Sequence, residues 1–157
     1  MGDIKSILFV CTGNSCRSVM AEGLMRKHLR DVGKNDIEVR SAGVVAPENF
    51  APTKETIDVM KKEGIDVSDH RSKKITEQFL READLVLVME DMHKQFLKDT
   101  FPGIRSKIHL LKEYGITGER NYPKNTDIPD PIGRPAEYYT LSFQMIKDQV
   151  ERIAKLL

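Results

Sequence analysis

Ser6-Ile7-Leu8-Phe9-Val10-Cys11-Thr12-Gly13-Asn14-Ser15-Cys16-Arg17-Ser18 is the stretch whose reading decides the fold. Ser6 to Val10 is a short, nearly continuous apolar run, the pattern of a strand buried on both faces as in a parallel sheet. A polar loop containing Gly13 follows, from Cys11 to Arg17, and Ser18 stands where a helix N-cap is expected. Met20, Ala21, Leu24, Met25, His28, Leu29 and Val32 then recur at helical spacing. That helix runs to about Val32, and Gly33 ends it in the manner of a C′ residue.

Working outward, Ile37 to Ser41 reads as a second strand. Pro52 suits the first turn of a second helix, which turns Ile57 and Met60 inward and stops at Gly64. Thr76 to Arg81 suggests a short helical turn. Leu85 to Met89 is another buried strand, followed by a short helix with Met92, Phe96 and Leu97 on one face. Lys107 to Leu111 reads as a fourth strand. A loop holding Pro123, Pro129 and Pro131 precedes a last helix that starts near Pro135 or Ala136, with Tyr138, Leu141, Met145, Ile146, Val150, Ile153 and Leu157 on its buried face. Strands alternating with helices imply an α/β domain with a parallel sheet and right-handed crossovers. No internal repeat or linker interrupts the chain, so residues 1–157 are expected to form one domain. In such sheets ligands bind beyond the C-terminal ends of strands, where the strand order switches; the loop from Cys11 to Arg17 lies at such an end.

Composition narrows the function. The 157 residues are 39% apolar and 31% charged, with 25 Lys plus Arg against 24 Asp plus Glu, so the net charge is +1. A dedicated nucleic-acid binder would be clearly basic, and no apolar run approaches the ~20 residues that span a bilayer. The start of the chain carries no signal-peptide pattern. Gly2 with Ser6 makes a weak N-myristoylation pattern, against which an unmodified start is the reading. A cytoplasmic protein is expected. Cys11 and Cys16 are the two cysteines, and both lie in the loop; a secreted disulfide framework would spread them along the chain. His28, His70, His93 and His109 are scattered without ligand spacing, so no metal and no cofactor is expected.

The loop carries the chemistry. A turn from a buried strand into a helix N-terminus directs several backbone N–H groups into one concave space, and the helix dipole adds positive potential. Gly13 and Asn14 suit such a nest, which needs residues that tolerate positive φ. The groups that would hold an anion there also favour the thiolate of Cys11 at the mouth. Arg17, six residues on, has a planar fork that can hold two phosphoryl oxygens. Ser18 has a hydroxyl to offer the thiolate. A lone Cys after a strand is usually a small buried hydrophobe, and a lone Arg at a helix start is usually solvated. It is the combination that points to a phosphate-handling nucleophile. Thiolate attack on a phosphomonoester needs an acid for the leaving oxygen. Asp130, restrained by Pro131, is the candidate, with Asp127 as a nearby competitor.

At this point the motif Cys11-Thr12-Gly13-Asn14-Ser15-Cys16-Arg17-Ser18 resembles the signature of the low-molecular-weight protein tyrosine phosphatases. Asp130-Pro131 is similar to that family's general-acid loop, and Arg40-Ser41-Ala42-Gly43, Asp69-His70-Arg71-Ser72 and Ala83 to Met89 are similar to other family segments. The resemblance implies a three-layer α/β fold: a four-stranded parallel sheet of order 2-1-3-4, helices on both faces and the phosphate-binding loop after the first strand. It implies Cys11 as nucleophile, Arg17 as phosphate ligand, Asp130 as acid, and the residues from Thr12 to Ser18 as the substrate cradle. Asn14, Ser18, Ser41 and His70 become supports. Cys16 resembles a second loop cysteine that can pair reversibly with Cys11; plain packing is the other reading. The implied partners are phosphorylated proteins or peptides, acted on by a monomer or weak dimer.

Two departures bear on specificity. Tyrosine-specific members of the family often carry a bulky aliphatic residue where this chain has Ser15, and members acting on phosphoarginine carry Thr there. Other members have aromatics directly after Asp-Pro, where Ile132-Gly133 stand here, with Phe50 a candidate for one wall of the pocket. Phosphotyrosine-type phosphomonoesters are the expected substrates and phosphoarginine is the alternative. An arsenate reductase of similar fold would need a further cysteine pair downstream, and none follows Cys16. A phosphocysteine relay protein would not need Arg17 and Asp130 together, and a phosphopeptide-binding module would need no acid.

Overall fold

The run after Lys5 forms β1 (Ser6–Cys11) at the centre of a four-stranded sheet. The computed structural model describes residues 3–157; Met1 and Gly2, and with them the acylation pattern, lie outside the described residues. Strands β2 (Glu38–Gly43), β3 (Leu85–Val88) and β4 (Ile108–Leu110) complete the sheet in the order β2-β1-β3-β4, with every pairing parallel. Strand order switches direction at β1, so the segment after Cys11 emerges at the crevice where such sheets bind ligands.

Alternation along β1 divides the core. Ile7, Phe9 and Cys11 face a cluster built with α1 (Arg17–Asp31), α2 (Lys54–Lys62) and α5 (Ala136–Ala154). Leu8 and Val10 face a second cluster with Leu80 of α3 (Glu77–Glu82) and Leu97 of α4 (Asp91–Thr100). The result is the expected three-layer α/β fold, with a strand buried on both faces.

Local chemistry ends the helices where it should. Gly33 has φ 76°, its N–H bonds the Arg30 carbonyl, and the Lys34 N–H bonds that of Leu29. This is a Schellman closure, in which glycine takes the left-handed position without a Cβ penalty. The side chains of Thr53 and Thr76 cap α2 and α3 by accepting from Thr56 and Phe79 N–H.

Several expectations are corrected. Ser18 does not cap α1: Cys16 occupies the N-cap, and Ser18 is buried inside the first turn. Pro52 precedes the Thr53 cap and is outside the helical turn. Val32 is 55% exposed, because the chain has already left the helix there. Met92 and Phe96 are exposed, and α4 buries His93 together with the expected Leu97. In α5, Tyr138 and Leu141 are exposed, while Tyr139, Phe143, Ile146, Val150 and Ile153 form the buried stripe. Two apolar stripes about one residue apart coexist on the first half of that helix, and packing against α1 selects one of them.

Candidate active site

Because β1 ends at Cys11, the side chain continues the alternation of Ile7 and Phe9 and enters the space under the following loop, where it is buried. The loop closes over it. Asn14 takes the left-handed conformation, φ 52°, and its N–H donates to Cys11 Sγ at 3.3 Å. Gly13 does not have positive φ; the nest turns on Asn14, which tolerates the conformation better than most residues.

Asn14 is itself held on every side. Its Oδ1 accepts from the Lys73 backbone N–H at 3.0 Å, which settles the orientation of the amide. Nδ2 therefore donates to Ser18 Oγ at 2.8 Å and Ser41 Oγ at 3.0 Å. His70 Nε2 lies 3.2 Å from Asn14 Oδ1 and 3.3 Å from its carbonyl, both acceptors, so this nitrogen carries the proton. Burial holds His70 below the usual imidazole range, against the pull of Glu22, which favours a neutral ring. Ser18, already accepting from Asn14, has its own proton free for Cys11 Sγ, 3.0 Å away. The sulfur thus meets an N–H and an O–H donor, both positioned by one buried asparagine.

Gly43 at the end of β2 is required by this packing. A Cβ there would stand 2.6 Å from the Thr12 carbonyl oxygen and 2.9 Å from Asn14 N. Gly43→Ala must push the loop away from the sheet. It is expected to lower kcat/KM for a phosphomonoester by about 100-fold, a typical cost of displacing reacting groups by an ångström, while circular dichroism stays native. Unchanged kinetics would show that the loop tolerates the shift.

Arg17 is 1% exposed and its charge is shared. Nη1 donates to the Ile128 carbonyl at 2.8 Å and lies 3.1 Å from Glu90 Oε2; Nη2 lies 3.4 Å from Asp130 Oδ2 and 3.4 Å from Thr12 Oγ1. The structure brings Asp130 to Arg17, with its other oxygen accepting the Ile132 N–H at 3.1 Å, an Asx turn that sets the loop. Asp127 is placed elsewhere: Oδ1 accepts the Asp91 N–H at 2.8 Å and tethers the first turn of α4.

Glu90 and His93 are the residues sequence reasoning missed. Glu90 Oε2 is buried; Arg17 Nη1 stands 3.1 Å and His93 Nε2 3.7 Å from it, and it has no hydrogen-bond partner among the described residues. His93 Nδ1 accepts the Glu90 N–H at 3.1 Å, so a neutral ring carries its proton on Nε2, which donates to Thr12 Oγ1 at 2.8 Å. Burial, with the Arg17 charge adding to it, pushes His93 down to about 4. The sign follows: between pH 6.5 and 4 the unfolded chain binds a proton that the folded chain refuses, so stability falls as pH drops through that window. The contribution is about 3 kcal/mol. The urea midpoint is therefore expected to fall between pH 7 and pH 4.5, and less steeply in His93→Asn; parallel slopes would mean that His93 is not the group. The signal for both residues was available, since they follow the C-terminal end of the strand next to β1.

Cys16 lies beside Thr53 Oγ1 at 3.5 Å and Ser15 Oγ at 3.6 Å, and its thiol donates to the Tyr139 hydroxyl at 4.0 Å. Burial foremost, with the Cys16 sulfur adding to it, pushes Tyr139 up to about 12. Both cysteines are free thiols. Val45, whose N–H bonds the Thr12 carbonyl, and Ile132 are exposed beside the site; Phe50 and Tyr138 are exposed too, and Arg134 stacks on the Tyr138 ring at 5.2 Å. A sulfur with two donors and a buried arginine paired to a carboxylate make a site suited to in-line phosphoryl transfer.

Known proteins share this fold. The family model of low molecular weight phosphotyrosine protein phosphatases matches residues 6–157. A protein-arginine-phosphatase of Bacillus subtilis is 37% identical over 151 residues, covering 96% of this chain and 95% of its own. A probable low molecular weight protein-tyrosine-phosphatase, EpsP, of Ralstonia nicotianae is 33% identical, covering 94% and 92%. The crystal structure of a low molecular weight protein tyrosine phosphatase from T. tengcongensis superposes with TM-score 0.86 at 42% identity, covering 97% of this chain and 99% of that one. A mutant of the arginine phosphatase YwlE with a phosphorylated active-site serine gives TM-score 0.86 at 36% identity, covering 97% and 95%. The chain belongs to the low molecular weight phosphotyrosine protein phosphatase family and is a cysteine-dependent protein phosphatase of that type.

Proposed function

We propose that Cys11 is the nucleophile, Arg17 the phosphate ligand and Asp130 the general acid and base. The observation that carries this is the sulfur of Cys11 receiving donors from Asn14 and Ser18, in the same loop as an Arg17 that faces Asp130 at 3.4 Å. In the first step the thiolate forms the S–P bond as the bond to the leaving group breaks, and Asp130 gives its proton to the departing atom. In the second, Asp130 takes a proton from water, the new O–P bond forms, and sulfur leaves as thiolate to receive the Ser18 proton in a hydrogen bond. Arg17 and the loop N–H groups of Thr12 to Ser18 meet the charge on the equatorial oxygens. The phosphorylated active-site serine of the related arginine phosphatase mutant supports a covalent intermediate. No metal or cofactor enters this scheme.

The family acts on phosphorylated proteins. Phosphotyrosine is the first substrate reading, supported by the exposed apolar side chains of Val45, whose N–H bonds the Thr12 carbonyl, and Ile132, whose N–H bonds Asp130, which an aryl group would cover. Phosphoarginine is the second, favoured by the Ser15 hydroxyl in place of a bulky aliphatic chain and by the 37% identical arginine phosphatase. The chain is proposed to work as one domain, monomeric or weakly dimeric and cytoplasmic, without nucleic-acid or membrane partners; among the described residues no helix is long and apolar enough to cross a membrane.

Initial rates on phosphotyrosine, phosphoarginine and phosphoserine peptides test this. Phosphotyrosine or phosphoarginine is expected to be cleaved at least ~10-fold faster than phosphoserine. EDTA should leave the rate unchanged. Asp130→Asn should lower kcat by about 100-fold on phosphotyrosine and by less on p-nitrophenyl phosphate, whose leaving group needs no proton. An Asp130→Asn enzyme at full speed, or preference for phosphoserine, would reject the assignment.

A further inference from the structure

A cavity of about 850 Å³ adjoins the supports of the catalytic loop, yet neither Cys11, Arg17 nor Asp130 lines it. Its walls include Ser41 and His70, two of the three side chains that bond Asn14. Six cationic side chains line it, Arg26, Lys27, Arg30, Arg40, Arg71 and Lys73, against three carboxylates, Glu22, Asp66 and Asp69. Two of those carboxylates are occupied: Glu22 pairs with Arg26 at 3.4 Å, and Asp66 accepts from the N–H and hydroxyl of Ser68 at 2.9 and 2.6 Å. Arg30, Arg71 and Lys73 pair with no carboxylate among the described residues; Arg71 donates only to carbonyls, those of Ser68 and His70. Uncompensated cations converging on a concavity concentrate anions there.

The cavity also has apolar walls. Ile65, Val67 and Phe79 line it, and the Arg40 guanidinium stands 6.0 Å from the centre of the Phe79 ring. A flat cation beside a half-buried aromatic ring suits a planar ring laid over the pair. The volume lies within the range of organic-ligand pockets, and inorganic phosphate would leave most of it empty.

We propose that this cavity binds an organic phosphate the size of a nucleotide, with a planar ring against Phe79 and Arg40 and its phosphoryl groups held by Arg30, Arg71 and Lys73. The ligand would touch the reverse side of the wall that shapes the catalytic loop. Lys73 through its N–H, and Ser41 and His70 through their side chains, each line the cavity and bond Asn14 directly, which connects the two.

The test uses α,β-methylene ADP, whose bridging P–C bond this hydrolase cannot cleave. Calorimetric titration of the whole chain is expected to show saturable one-to-one binding, weakened about tenfold or more by Arg30→Glu/Arg71→Glu. Neither residue belongs to the catalytic machinery, so turnover of p-nitrophenyl phosphate by that variant should stay within twofold of wild type and report that it is folded. In the wild type, amide chemical shifts should move at Gly23, Gly64, Arg71 and Lys73. The proposal is overturned by absence of binding to the wild type, by undiminished binding to the double variant, or by shifts centred on Gly13 to Arg17, which would place the ligand in the catalytic loop. These readouts do not depend on the roles assigned to Cys11 or Asp130, so either proposal can fail alone.

Discussion

Cys11→Ser is expected to reduce turnover to the background of the assay, a loss of at least ~10⁴-fold. The substitution changes one atom and keeps the hydrogen bonds around it, from Asn14 N–H at 3.3 Å and Ser18 Oγ at 3.0 Å. What changes is chemistry. A serine hydroxyl is not ionised at neutral pH, and the site offers it no base: Asn14 and Ser18 are donors to position 11, and His70 directs its proton at Asn14. Attack is therefore slow. Any phosphoserine that does form is an ordinary ester whose alkoxide leaves far less readily than a thiolate, so the second step stops as well. Mass spectrometry after incubation with a phosphotyrosine or phosphoarginine peptide is expected to find either unmodified protein or a stable single phosphate on residue 11. Multiple turnovers by the serine variant would end the cysteine mechanism for this chain.

Arg17→Lys comes second, with an expected fall of about 10²- to 10³-fold in kcat. The charge survives, so a smaller rise in KM is expected; what disappears is the fork. A lysine cannot satisfy the Ile128 carbonyl, Glu90 and Asp130 together, as the guanidinium does at 2.8, 3.1 and 3.4 Å, and still present two donors to a planar phosphoryl group. Rapid mixing should place the loss in the chemical step. A lysine enzyme with normal kcat and a raised KM would reduce Arg17 to a binding residue.

Glu90 explains why Arg17 stands ready. A buried cation without a partner would be costly, and the carboxylate at 3.1 Å holds it while leaving Nη2 directed towards Thr12 and Asp130. Its place just after the strand beside β1 marks Glu90 as near the site, but which group it meets is not legible locally, because that partner lies 73 positions away in the chain. Apolar spacing on α4 pointed to Met92 and Phe96, and the side chain that is buried is His93, since its ring is satisfied by Thr12 and by the Glu90 N–H. Periodicity counts greasy residues and cannot see a polar ring whose hydrogen bonds come from another element.

What the sequence by itself determined is what arises within a few residues: the strand, the loop and the helix around Cys11, the Schellman stop at Gly33, and the alternation that makes the sheet parallel. Cys11 and Arg17 belong to this group, because strand–loop–helix geometry places a nest and an arginine together without help from the rest of the chain. Only the tertiary structure decided that Ser18 turns to the sulfur and leaves the cap to Cys16. It also decided that Asp130 and not Asp127 meets Arg17, that Gly43 must lack a side chain, and that one of two stripes on α5 is buried. Those outcomes depend on contacts between residues tens of positions apart, where packing and hydrogen-bond satisfaction choose among local alternatives of nearly equal energy.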